Sequence, residues 1–247
     1  MRPPEIRTAA LELVAAGLND CEIARRLGVP RTTVRDWRKP RYVRRGPVSS
    51  RCPRCGKTTK RIVLLPAEYS ELLGLYLGDG HITQMARAER LRIFLDSSYP
   101  RILRDAEQLL RCVFPDNDVG RTSAEGGRMV VLWVYSQHLS CVFPQHGHGK
   151  KHERRVTLEP WQQRLIDVAP WAFLRGCIRS DGCVFVNRTG RYAYLSYDFA
   201  NLSSDILDLF VATCEHVGLR PRRYARHVRL YRREDVARLV EHVGLKA

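Results

Sequence analysis

The sequence predicts an α+β architecture: a duplicated α/β region preceded by a small all-α domain. Three observations carry this expectation. Residues 69–80 (YSELLGLYLGDG) and 171–182 (WAFLRGCIRSDG) share apolar residues at helical spacing, an internal Gly and a terminal Asp-Gly. The two acids, Asp79 and Asp181, lie 102 positions apart, and similar strand-like and helical runs follow each. Such a period marks a duplicated domain rather than a solenoid. Residues 1–40, by contrast, are helical throughout, with turn punctuation.

Length and charge bound the function. The chain has 247 residues, 44% of them hydrophobic, enough for one large domain or two small ones with a real core. No run of about 18 uncharged apolar residues occurs, so no membrane span is expected. The start, Met1-Arg2-Pro3-Pro4-Glu5, leads into a polar helix; no signal peptide is visible, and the expected location is the cytoplasm, at the bacterial nucleoid. The net charge is +16, concentrated at the front: residues 1–61 carry 16 Lys/Arg against 5 Asp/Glu. Positive charge gathered this way neutralises phosphates and releases counterions, which makes double-stranded DNA the expected partner.

The first domain, residues 1–40, divides at its turn signals. A helix ends near Gly17, Asp20 is placed to cap a second helix over 21–27, Gly28 closes it and Val29-Pro30 turns the chain. Residues 31–38 then form a helix with Val34 and Trp37 inward and Arg31, Thr32, Thr33, Arg35 and Arg38 outward. A helix presented this way suits the DNA major groove. The pattern Glu22-Ile23-Ala24, Leu27-Gly28-Val29, Thr33-Val34 and Trp37 resembles the helix-turn-helix of bacterial regulators and transposases.

Residues 41–62 are basic and irregular and read as a linker. Within it, Cys52-Pro53-Arg54-Cys55-Gly56 resembles one knuckle of a zinc ribbon, and Cys52 and Cys55 are candidate zinc ligands. A complete site needs two more ligands, no second such pair exists, and His146, His148 and His152 are suitable but remote; a reduced, unliganded pair stands beside zinc as the alternative. The other six cysteines are scattered, five of them in apolar contexts where a buried free thiol is usual. A cytoplasmic chain of this size does not imply a disulfide framework.

The duplicated region divides into residues 63–155 and 156–247. In the first repeat the pattern gives strand-like runs at 81–86 and 90–96, a helix at 99–114, a strand at 129–136 and a short helix; in the second, strands at 183–187 and 192–200, a helix at 203–217, an extended run at 222–232 and a last helix at 234–243. Basic strand and turn positions are candidates for DNA: Arg87, Arg90 and Arg92, then Arg188, Arg191, Arg222, Arg223, Arg226 and Arg229. Alternation places these on two faces, so some are solvated charges away from any ligand. Lys150 and Lys151, ahead of the second repeat, are further candidates for phosphate contact.

Leu73-Gly74-Leu75-Tyr76-Leu77-Gly78-Asp79-Gly80 and Phe173-Leu174-Arg175-Gly176, with Ser180-Asp181-Gly182, resemble the paired motifs of LAGLIDADG homing endonucleases, including those of inteins. The resemblance covers residues 63–245. It implies two pseudo-symmetric αββαββα repeats forming a saddle over the DNA major groove. The motif helices would pack side by side, with Gly74 and Gly176 allowing close approach and each helix ending in one carboxylate. Two Asp brought together repel unless a divalent cation sits between them; the resemblance therefore implies Mg²⁺, or Mn²⁺, held by Asp79 and Asp181 as catalytic residues. It also implies a Lys or Gln late in each sheet, yet 134–138 (VYSQH) and 230–233 (LYRR) offer only Gln137.

Three readings follow. The chain is a metal-dependent, site-specific DNA endonuclease; or a catalytically inactive regulator on the same fold, binding DNA through the helix-turn-helix and the saddle; or a protein with a structural or RNA-processing role. No intein splice junction is visible, and with both repeats in one chain a monomer suffices to form the site.

Overall fold

The computed structural model describes residues 4–38, 50–52 and 54–246. They fall into two compact units, Met1–Val48 and Ser49–Ala247.

The first unit contains α1 (Pro4–Ala15), α2 (Asp20–Leu27) and α3 (Arg31–Arg38). Its core is Ala10, Ile23, Val29 and Val34, with Leu13, Leu27 and Trp37 packed around them. The cap of α2 is one residue earlier than the sequence suggests. Asn19, not Asp20, accepts from the N–H groups of Cys21 and Glu22, both at 3.0 Å, while the Glu22 carboxylate accepts from the Asn19 N–H. Either residue of Asn-Asp could cap; Glu22 decides, because it stands at the third helical position only when Asn19 is the cap. Asn19→Ala is expected to cost about 1 kcal/mol and to speed hydrogen exchange of the α2 amides; unchanged exchange would contradict the cap. Gly28 ends α2 with φ +61°, a left-handed conformation that side chains other than Gly resist.

The second unit begins with a small hairpin, β1 (Ser50–Arg51) and β2 (Thr58–Thr59). Repeat 1 follows: α4 (Pro66–Asp79), β3 (Gly80–Gln84), β4 (Glu89–Asp96), α5 (Pro100–Val113), β5 (Val119–Ala124), β6 (Met129–Ser136) and α6 (Leu139–Val142). A connecting helix, α7 (Pro160–Val168), leads to repeat 2: α8 (Pro170–Asp181), β7 (Gly182–Thr189), β8 (Tyr192–Ala200), α9 (Ser204–His216), β9 (Arg222–Arg223), β10 (His227–Leu230) and α10 (Arg233–His242). Both sheets are antiparallel and have the same order, β3-β4-β6-β5 and β7-β8-β10-β9. The αββαββα duplication is thus present. No helix among the described residues is long and apolar enough to cross a membrane.

Two strands depart from the sequence reading. β5 (VGRTSA) carries Gly and small polar residues, so it has little strand propensity of its own; pairing with β6 holds it, and Gly120 leaves room for the Trp133 ring. The run 222–232 is broken by a turn at 224–226, which separates β9 from β10. The cysteines also divide differently from expectation: only Cys177 and Cys214 of the scattered six are buried, whereas Cys21 and Cys183 are exposed and Cys112 and Cys141 half-buried.

α4 and α8 form the centre. A Cβ on Gly176 would lie 2.1 Å from the Glu71 carbonyl oxygen, and one on Gly74 2.6 Å from the Phe173 carbonyl oxygen. Every residue of α4 from Tyr69 to Leu77 is buried, as expected of a helix wrapped by neighbours. The one charged residue in that stretch is Glu71, whose carboxylate receives Arg175 Nε at 2.9 Å and also Arg179, both from α8. Arg179 reaches on to Asp105 of α5. A buried charge needs such partners, and these two tie the helices together at one register.

Candidate active site

The close crossing of α4 and α8 delivers both helix ends to one place. Gly78 is packed so tightly that a Cβ there would lie 2.9 Å from Asp181 Oδ2 and 2.3 Å from Ser180 Oγ. Asp79 and Asp181 are the last residues of their helices, and Gly80 and Gly182 begin the strands that follow. Burial, and then the neighbouring Asp181 charge, push the Asp79 carboxyl up to about 7. Asp181 is also raised by burial, partly offset by Asn201, which donates to its Oδ2 at 2.6 Å. Two desolvated carboxyls that repel are an unfilled demand for positive charge.

Two half-buried ammonium groups answer part of that demand. Lys151 Nζ donates to the carbonyl oxygens of Tyr76, Leu77 and Gly78, at 2.5, 2.9 and 3.0 Å, and so closes the C-terminal end of α4. Lys246 Nζ donates to Ser180 and Gly182, at 2.6 and 2.9 Å, and closes α8 in the same way. The orphan carbonyls of a helix end, and its negative dipole, favour a cation there. Burial lowers both lysines, Lys151 to about 8.

The carboxylates and lysines are shared crosswise between two clefts. One, of about 730 Å³, is lined by Asp181 and Lys151 together with His81, His146 and Asn201. The other, of about 480 Å³, is lined by Asp79 and Lys246 with Asp96 and Tyr99. Each cleft therefore joins the acid of one repeat to the lysine of the other. The two lysines lie beyond the sheets, Lys151 after α6 and Lys246 after α10. Lys246 carries no signal in the sequence; it stands in a short tail with no pattern around it. Lys151 is half-buried in the cleft wall, whereas Lys150 beside it is exposed.

The expected basic faces are sorted by strand register. Arg90 and Arg92 alternate with the buried Leu91 and Ile93, so they share the face away from the core. Arg92 pairs across from His81 and Trp133, and Arg90 from Tyr135. Aromatic rings thus interleave with arginines on this face, a pattern that appears only once the strands are paired. In repeat 2, Arg222 and Arg229 lie opposite each other, and Arg229 also pairs with Asp198, on the face carrying Phe185 and His227. Arg188 and Arg223 have the other parity, that of Val184 and Val228, and Arg223 is spent on Asp208. Arg87, Arg191 and Arg226 are exposed in turns. In the first unit Arg31, Thr32 and Arg35 are exposed and Thr33 half-buried; the Arg38 side chain lies outside the described residues.

A second cluster lies apart from the clefts. Cys52 and Cys55 meet His138 and Cys141, with one ligand atom from each and all four within 4.8 Å of one another. The partners of the Cys pair are therefore not His146, His148 and His152; His146 and His152 line the larger cleft.

Known proteins share this architecture. The structure "I-DmoI in complex with DNA and Mn" matches with a TM-score of 0.51 at 14% identity, over 73% of this chain and 97% of that one. The fold is LAGLIDADG. Weaker likenesses to this LAGLIDADG fold are the N-terminal LAGLIDADG domain of DUF199/WhiA (TM-score 0.48, 15% identity, 75% of this chain and 86% of that one) and full-length DUF199/WhiA from Thermatoga maritima (0.48, 17%, 73% and 56%). Ahead of the LAGLIDADG unit, residues 3–48 match the family description "homeodomain-like domain", in keeping with the helix-turn-helix. A comparison with curated proteins finds no sequence match.

Proposed function

We propose that the chain is a site-specific endonuclease of double-stranded DNA, dependent on Mg²⁺ or Mn²⁺, with Asp79 and Asp181 as the metal ligands. One observation carries the reading: both carboxylates are intact, largely withdrawn from solvent and close enough to repel, and each shares a cleft with a half-buried lysine of the opposite repeat. The donors fit a hard divalent ion, being carboxylate oxygens at two adjoining helix ends. Bound there, the ion would activate water and stabilise the leaving 3′ oxygen. The chain supplies the rest. Asn201 fixes the orientation of Asp181. Lys151 and Lys246, held rigidly by carbonyls, present positive charge to the scissile phosphates as negative charge develops there. Arg90, Arg92, Arg222 and Arg229 grip the duplex on the sheet faces, with Lys150 at the rim, and Arg31, Thr32, Thr33, Arg35 and Arg38 of α3 read a major groove. A monomer completes both clefts.

The helix-turn-helix unit favours a second reading, a DNA-binding regulator that does not cut. Incubation with a randomised duplex library separates the two. Site-specific ends with Mg²⁺ or Mn²⁺, and none with EDTA, are expected; sequence-selective binding without ends under either metal would transfer the assignment to the regulator.

A further inference from the structure

We propose that Cys52, Cys55, His138 and Cys141 form a structural zinc site that anchors the β1–β2 knuckle to repeat 1. The knuckle is very small. β1 and β2 contribute two residues each, and of the described side chains between 50 and 60 only Cys52 and Thr59 are buried. A segment with so little apolar surface cannot hold its own shape. Yet its turn is well formed: the Cys52 N–H donates to the Lys57 carbonyl at 2.8 Å, the Gly56 N–H to the Cys52 carbonyl at 2.9 Å, and Gly56 takes φ +69°. That turn aims both thiols at one point.

The other two ligands come from a single helical turn. His138 precedes α6 and Cys141 lies within it, so the spacing of three brings both to one side. Cys55 Sγ lies 3.3 Å from His138 Nδ1, across 83 positions of sequence. The α6 side is itself fixed, because the Ser140 N–H donates to Glu89 at 2.8 Å and Arg54 of the knuckle donates to the Ser140 carbonyl at 3.1 Å. His138 is buried, with 4% of its surface exposed.

Three sulfurs and one imidazole nitrogen within reach of one point match the donor set of closed tetrahedral zinc sites. A disulfide would use two of the sulfurs and leave a thiol and an imidazole stranded beside it. Mg²⁺ would not choose sulfur, so this site is chemically distinct from the Asp clefts. Zinc here would close a long loop and supply stability the knuckle lacks, with the start of the second unit pinned to α6.

The test is metal content of the full chain purified under reducing conditions and reconstituted with Zn²⁺ alone, then with Co²⁺. About one zinc per chain is expected, and the cobalt form should show the intense thiolate charge-transfer and visible bands of a tetrahedral site. His138→Asn and Cys141→Ser should each weaken zinc binding about tenfold or more, whereas Cys112→Ser, outside the cluster, should not. If zinc is absent after reconstitution, or binding is unchanged in both α6 variants, the site is overturned; a Cys52–Cys55 disulfide with no metal in the reduced protein overturns it equally. Should the α6 variants fail to fold, the cobalt spectrum of the unaltered chain decides, since octahedral, oxygen-type bands would exclude the thiolate set. None of these readouts depends on DNA cleavage.

Discussion

Asp79→Asn and Asp181→Asn should each lower DNA cleavage about a thousandfold or more while leaving DNA affinity within a few-fold of the parent. The acids lie at the helix ends and the arginines on the sheets, so the substitution removes a proposed metal ligand without touching the arginines proposed to grip the duplex. The same change should stabilise the metal-free protein. Asp79 titrates near 3.8 in an unfolded chain and at about 7 in the fold. Below pH 4 the carboxyl is neutral in both states and costs nothing. Between pH 4 and 7 the folded state keeps a proton that the unfolded chain releases, so stability falls as pH rises; above pH 7 the penalty is complete. The amide of the Asp79→Asn variant carries no such charge, and its advantage should grow to about 2 kcal/mol by pH 7.5. Lys151 titrates at about 8, so its own contribution changes only above that window. Melting in EDTA at pH 5 and pH 7.5 tests the sign: an Asp79→Asn variant no more stable than the parent at pH 7.5 would mean that the carboxyl is better solvated than its burial implies. Undiminished cleavage by Asp79→Asn would remove it from the metal site.

Gly176→Ala is expected to be the most damaging single methyl group. Its Cβ would meet the Glu71 carbonyl oxygen at 2.1 Å and the Gly74 Cα at 3.0 Å, both backbone atoms that no rotamer change can move. The helices must part, and overpacking against backbone of this kind costs about 3 kcal/mol or more. Parting them also separates Asp79 from Asp181, so cleavage should fall with stability. Gly190→Ala serves as contrast: its Cβ meets nothing within 4 Å, and the cost should be only the strain of φ +59°, about 1 kcal/mol. Urea denaturation of the two variants, with a Gly176→Ala midpoint at or above that of Gly190→Ala, would show that the crossing is looser than described.

What the sequence reveals and what it conceals divide along a physical line. α4, α8 and β6 are legible because their apolar period or strand composition is strong on its own, and the two Asp-Gly pairs because duplication repeats them. Asn19 is hidden beside an equally good cap. β5 is hidden because its order comes from β6 and from the space over Gly120, not from its own residues. Lys246, His138 and Cys141 carry no local pattern; each matters only through a distant stretch of chain, and that proximity is made by the return of the tail after α10 to the end of α8 and by the packing of the knuckle on α6.

The crosswise clefts bear on how such a protein could arise or be taken apart. Each half of the duplication holds one acid and one lysine, the parts of a complete kit. Yet the lysine of either half serves the acid of the other. A half expressed alone would own the parts of two unfinished clefts and the whole of none. The unit that carries a complete cleft is therefore the joined pair, and neither half holds one alone.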